Sequence, residues 1–375
     1  MTAQDTASGA AIAAAFDDPA PMTVGIEEEV MLVDPATLDL APVAGELLGR
    51  IEQAGGDPRF KLELPMAQFE IVSPPLPSAA AAADFLRQAR RDLAAHAGGL
   101  ARLACAGVHP FAHPEGELNA GERYDRTLGE YGRIARRQLV FGLQAHVAVR
   151  GADRALAVYN ALRGWLPELL ALAANAPFYA GEDTGLATIR PKINELLPRQ
   201  GVPPVIASWD DWAAALRWGA ALGTVPDPGV WWWELRPHPA WGTLEVRVPD
   251  AQATVDDAAG VVAAIHCLAH WLAARHDAGE TLPAPATWRI EENRWRALSR
   301  GLDGELADLE TGETASARQR LRTLFDQLSE SARELGCERE LGFARALTES
   351  NGAERQRAAA GGDARAAVEW LIASY

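Results

Sequence analysis

Acidic side chains recur at every second position in several short segments of this chain. Side chains of an extended strand alternate between its two faces, so residues two apart share a face. In 24–32, Glu27 and Glu29 share one face, while Val24, Ile26, Val30 and Leu32 share the other with Glu28. In 68–72, Gln68, Glu70 and Val72 fall together. In 140–148, Gln144 and His146 do the same. In 230–236, Trp232, Glu234 and Arg236 share a side. In 242–248, Thr243, Glu245 and Arg247 oppose Leu244, Val246 and Val248.

If these faces coincide, five glutamates, one histidine and two arginines line one surface. Gathered carboxylates repel, and their pKa values rise. Divalent cations relieve that repulsion, and Mg²⁺ is typically shared between a few carboxylates and substrate phosphates. Any one such strand by itself reads more simply as a solvated face. His146 alone fits a satisfied core residue, and Arg247 a partner of Glu245 or Glu234. The recurrence over several segments is what argues for a metal–phosphate site. No Gly-rich loop with a Lys of the Walker type is present, which speaks against a P-loop nucleotide site.

The elements that must carry these residues follow from local pattern. Residues 22–33 alternate and stop at Asp34-Pro35. Residues 61–73 read as a strand interrupted at Pro65, and 139–150 as another. Two short strands, 230–237 and 242–249, flank a turn. Helical spacing is expected over 79–100, 153–174 with a break at Pro167, 254–276, 315–336 and 363–374. Residues 176–206 hold Gly and Pro at short intervals and read as a long ordered loop. This order implies an α+β class: an antiparallel sheet with helices on one face and a wet second face. Residues 1–21 read as a flexible tail and 22–375 as a single catalytic domain.

Composition sets the outer bounds. The chain has 375 residues, 48% hydrophobic and 23% charged, ordinary for a domain with a sizeable core. A net charge of −16 argues against nucleic-acid binding, which needs clustered Lys and Arg. Cys105, Cys267 and Cys337 lie far apart, which suits a reducing, cytoplasmic compartment. No apolar stretch of spanning length is expected, and so no membrane partner.

At the residues described above, the chain resembles the carboxylate–amine ligase, or type 2 glutamate–cysteine ligase, group of the glutamine synthetase superfamily. The matching stretches include Gly25-Ile-Glu-Glu-Glu29, Glu70-Ile-Val-Ser-Pro-Pro75, Gly107-Val-His-Pro-Phe111 and Arg123-Tyr124. They continue with Asp183-Thr-Gly-Leu186, Trp233-Glu-Leu-Arg-Pro-His238, Gly242-Thr-Leu-Glu-Val-Arg247, Asp250-Ala-Gln252 and Glu292-Asn-Arg-Trp-Arg296. The resemblance implies a curved antiparallel sheet like the glutamine synthetase catalytic domain, and a homodimer. It implies ATP with Mg²⁺, or Mn²⁺, and small-molecule acid and amine substrates, glutamate and cysteine by default. Matched by motif, Glu27, Glu29, Glu70 and Glu245 would hold metal. His146, Gln144 and Arg236 would bind the nucleotide or metal, while Arg247, Arg190 and Glu234 would act in catalysis. The chain departs from the family where Gln144 stands in place of a histidine. Alternatives are a non-catalytic nucleotide-binding relative and phosphoryl transfer to a guanidino-type acceptor.

Overall fold

A computed structural model describes residues 8–17, 22–223 and 228–375. Its strands are β1 (Val24–Val33), β2 (Phe60–Leu62), β3 (Gln68–Val72), β4 (Arg102–Ala104), β5 (Leu143–Ala148), β6 (Phe178–Tyr179), β7 (Glu182–Asp183), β8 (Leu235–His238), β9 (Thr243–Val246), β10 (Glu305–Ala307) and β11 (Thr314–Ser316). Seven of these form one sheet, in the order β2-β3-β1-β5-β9-β8, with β4 also paired to β1. Every pairing is antiparallel. β6 with β7 and β10 with β11 are separate hairpins. The expected α+β sheet is therefore present.

Helices Ala79–Ala97 and Val255–Asp277 share one core with the apolar face of this sheet. Each starts where a hydroxyl can cap it: Ser78 accepts from the Ala81 amide and Thr254 from the Asp257 amide. Helix Ala79–Ala97 buries Ala79, Ala82, Ala83, Leu86, Ala89, Arg90, Leu93 and Ala97, the stripe that helical periodicity demands. Val255–Asp277 is buried along most of its length. At 23 residues, with an 18-residue stretch of mean hydropathy 1.4, it is long and apolar enough to cross a bilayer by length and composition, contrary to the sequence expectation. With 83% of its apolar window buried, it serves here as a core helix.

The break expected at Pro167 is present: Ala152–Leu162 runs into a short 3₁₀ turn, and Pro167 stands in the first turn of a new helix, Leu166–Ala173, where proline is tolerated. Other expectations needed correction. The single helix read over 315–336 is two, Ala317–Gln327 and Ser329–Glu334. Within the tail read over 1–21, Gly9–Phe16 is helical, capped by Ser8, with Ile12 and Phe16 buried. Phe16 stacks on Trp209 at 4.8 Å, which anchors it to helix Trp209–Leu222. Residues 1–7 and 18–21 lie outside the described residues.

β1 carries three successive glutamates, and the pleat separates them. Glu28 points into the helical layer and is fully buried. Arg90 meets it with two bonds, Nη2 to Oε1 at 2.7 Å and Nε to Oε2 at 2.9 Å. Arg90 also donates to the carbonyls of Ala253 and Gln252, so its charge is fully engaged. Removing one partner strands the other charge. Glu28→Ala or Arg90→Ala should lower unfolding stability in urea by about 3–5 kcal/mol. Glu29→Gln, on the opposite face, should not lower it.

Candidate active site

Strand register turns the alternation of single strands into rows across the wet face. Glu29 is opposite Glu70, and Lys61 opposite Glu70 from the far side. Glu27 is opposite Gln144. His146 is opposite Glu245, and Glu245 opposite Arg236. The sheet thus gathers Glu27, Glu29, Glu70, Gln144, His146, Glu245 and Arg236 on one surface, with Arg247 beyond the end of β9.

In the inner row, ligand atoms of Glu27, His146 and Glu245 lie within 4.8 Å of one another. His146 Nε2 is buried without a hydrogen-bond partner and lies 3.5 Å from Glu27 Oε1. Its Nδ1 is 3.1 Å from the Thr243 hydroxyl. A proton on Nε2 would face the two carboxylates; a metal ion replacing it would meet the Nε2 lone pair, with the ring proton on Nδ1 donated to Thr243. Arg236 grips Glu245 with Nε to Oε2 at 2.6 Å and Nη2 to Oε1 at 3.1 Å. Arg247 donates to both Glu245 and the Gln144 carbonyl oxygen. Burial opposes ionisation of Glu245, but Arg236, Arg247 and His146 outweigh it and hold its carboxyl well below the usual range. Burial likewise opposes ionisation of Glu27, and the close approach of a protonated His146 ring brings it below its ordinary value.

The next row has the opposite balance. Glu29 accepts from the Gly142 amide and from Gln144 Nε2 at 3.2 Å. Burial raises its pKa to about 7, against the pull of Arg190. Burial, with Glu63, Glu27 and Glu29 nearby, pushes Glu70 well above the carboxylate range. These carboxylates lack the cation that their own neighbours supply to Glu245. The donor set suits divalent metal: oxygen ligands short of positive charge at Glu29 and Glu70, and an open imidazole nitrogen between Glu27 and Glu245.

Arg190 approaches this row through a gap left by a glycine. A Cβ on Gly142 would meet Arg190 Nη2 at 2.3 Å. The guanidinium donates to the carbonyls of Val248 and Arg247, each at 3.2 Å, and lies 3.7 Å from buried Asp250. Arg190 is thus tied to the backbone that carries Arg247. Glu234 sits just before β8 and is held by Arg294, with Nε 2.9 Å from each carboxylate oxygen and Nη2 2.6 Å from Oε1. Sequence reasoning quoted Arg294 within a matching stretch but gave it no role. Arg236, on the same side of its strand, is taken up by Glu245, so Glu234 draws its cation from a distant helix.

Glu29, Arg190, Arg247 and Glu234 wall a cavity of about 420 Å³. Helix Glu122–Tyr131 closes the other side with Arg123, Tyr124 and Tyr131. None of its residues is buried. Tyr124 ties it down by donating to the Leu62 carbonyl at 2.9 Å, and Arg123 faces Glu63 at 3.4 Å. The segment patterns did not reveal this helix.

The model of glutamate–cysteine ligase family 2 matches residues 23–368. The chain belongs to that family. A protein of Rubrobacter xylanophilus named "putative glutamate–cysteine ligase 2-3" is 38% identical over 94% of this chain and 96% of its own length. One of Corynebacterium glutamicum, "putative glutamate–cysteine ligase 2", is 34% identical over 89% and 90%. Among solved structures, the glutamate–cysteine ligase of Francisella tularensis in complex with AMP aligns with a TM-score of 0.63 at 10% identity, covering 94% of this chain and 88% of that one. A bifunctional glutathione synthetase from Pasteurella multocida gives 0.60 at 13%, covering 97% and 53%. These two share the fold. As a member of glutamate–cysteine ligase family 2, this chain is an ATP-dependent carbon–nitrogen ligase.

A carboxyl whose folded pKa lies above its unfolded value adds stability below that unfolded value and loses it as pH rises through the folded one. For Glu29 that window runs from about 4.5 to about 7. Metal-free protein should lose stability across it, and Glu29→Gln should flatten the profile. Mg²⁺ or Mn²⁺ should raise the melting midpoint at pH 8 far more than at pH 5. Equal shifts at both pH values would remove Glu29 from the metal set.

Proposed function

We propose that this ligase joins the carboxylate of an amino acid, glutamate by default, to an amine, cysteine by default, through an acyl phosphate. The observation that carries the reading is the graded row of charges. Arginine-satisfied carboxylates at Glu245 lie beside cation-poor ones at Glu29 and Glu70, and a cavity opens onto the latter.

The substrate carboxylate oxygen attacks the γ-phosphorus of ATP, and the bond to the β-phosphate oxygen breaks, releasing ADP. The amine nitrogen then attacks the acyl carbon. The carbon–oxygen bond to phosphate breaks, the nitrogen gives up a proton, and amide and phosphate leave. Phosphoryl transfer of this kind depends mostly on positioning and charge neutralisation. Glu27, His146 and Glu245, with Glu29 and Glu70, would hold Mg²⁺ or Mn²⁺, which neutralises phosphate charge when bound. Arg247 offers a planar fork to the transferring group while its own strand fixes it beside Glu245. Arg190 keeps the Arg247 backbone in place, and Glu234, oriented by Arg294, faces the cavity where the amine enters.

Cysteines 105, 267 and 337 are buried free thiols, consistent with a reducing cytoplasm, where we place the reaction. A homodimer is the expected assembly, to be read by sedimentation.

Incubation with ATP, Mg²⁺ and a panel of acids and amines, followed by mass spectrometry, tests the reading. Amide formed with equal ADP and phosphate is expected. ADP with a phosphorylated guanidino acceptor and no amide would point to kinase chemistry, and ATP binding without turnover to a silent relative. Arg247→Lys should lower kcat by about 100-fold or more, since an ammonium cannot replace the fork. Unchanged kinetics would reduce Arg247 to a structural partner of Glu245.

A further inference from the structure

The turn between β8 and β9 carries an aromatic stack that the reaction above leaves unused. Trp241 is 57% exposed. Its indole lies flat on His238, with ring centres 4.2 Å apart and planes at 14°. Both rings meet His146 edge-on, Trp241 at 4.9 Å and His238 at 5.6 Å. His146 is therefore the inner ring of a ledge that runs from the Glu27–Glu245 carboxylates out to solvent.

The ledge is held in place. Trp241 and Gly242 amides both donate to the His238 carbonyl, at 3.2 and 3.0 Å. Gly242 has φ +63°, and a Cβ there would meet the Ala15 carbonyl oxygen at 2.0 Å. The turn is thus pressed against helix Gly9–Phe16, which is itself fixed to Trp209. His238 Nδ1 is buried without a hydrogen-bond partner, so packing rather than hydrogen bonding orients that ring.

An exposed, preorganised aromatic face suits a planar π system. The ligand must also suit what lies behind it, a cluster built for metal-bound phosphate. A nucleotide satisfies both. The cavity walled by Glu29 lies at the other end of the rows: Gly142, just before β5, and His146 are four residues apart, about 13 Å at strand rise. We propose that Trp241, backed by His238, is the stacking platform for the nucleotide base. This rests on the ligase reading above and adds the residues that would hold the base.

Binding tests it without turnover. Titrate wild-type protein, Trp241→Ala and Trp241→Phe with ATP and with inorganic tripolyphosphate, each with Mg²⁺, by calorimetry. Trp288→Ala, a comparably exposed tryptophan on helix Thr287–Arg300, is the control. Trp241→Ala should bind ATP roughly 5- to 150-fold more weakly while tripolyphosphate binding holds. Trp241→Phe should restore most of the ATP affinity, and Trp288→Ala should match wild type. Unchanged ATP affinity in Trp241→Ala, an equal loss for tripolyphosphate, or a Phe variant as weak as Ala would each overturn the platform. Wild-type protein that binds neither ligand would overturn the ATP reading and the platform with it.

Discussion

Glu29 and Glu70 stand opposite each other on neighbouring strands, and like charges in that position repel. Nearly everything on the wet face answers to that contact. The Gly142 amide and Gln144 take the oxygens of Glu29, and Arg190 approaches through the space a side chain at 142 would fill. One row inward the same problem is solved within the chain, where Arg236 and Arg247 hold Glu245 ionised. The site is thus graded: neutralised at one end, and at the other awaiting charge from outside. Such a gradient favours a divalent cation at the carboxylates that still lack a counter-ion.

Gln144 shows how a family departure can be read physically. Its amide group is donor and acceptor at once, and both ends are used: Nε2 to Glu29, Oε1 from Arg247. A side chain that links a raised carboxyl to an arginine connects the two rows, so the glutamine is an integral part of the floor.

Much of this was legible in the chain itself. The period of two separated Glu27 and Glu29 from Glu28, and the buried Glu28–Arg90 pair bears that out. It placed Glu245 and Arg247 on one side of their strand, where they now touch. It could not say which residues stand opposite one another, because register depends on turns and on strands far apart in sequence. Hence the grouping of Glu27 with His146 and Glu245, apart from Glu29 and Glu70, emerged only in three dimensions. Arg294 was hidden for a similar reason: it reaches Glu234 from 60 residues away. Helix Glu122–Tyr131 escaped because its stripe of Tyr124, Leu128 and Tyr131 is short, lies among charged residues and is only partly buried.

The three consecutive glutamates of β1 would make the strand ambiguous if composition alone guided pairing, since any shift still presents acid to solvent. Arg90 removes the ambiguity. Slipped by one residue, β1 would turn Glu27 and Glu29 into the helical layer, where a single guanidinium waits for one carboxylate. One of the two would be entombed without a counter-charge. Arg90 therefore acts as a key that admits one alignment of the strand during folding, and the order of the acidic face is secured from the opposite, buried side of the sheet.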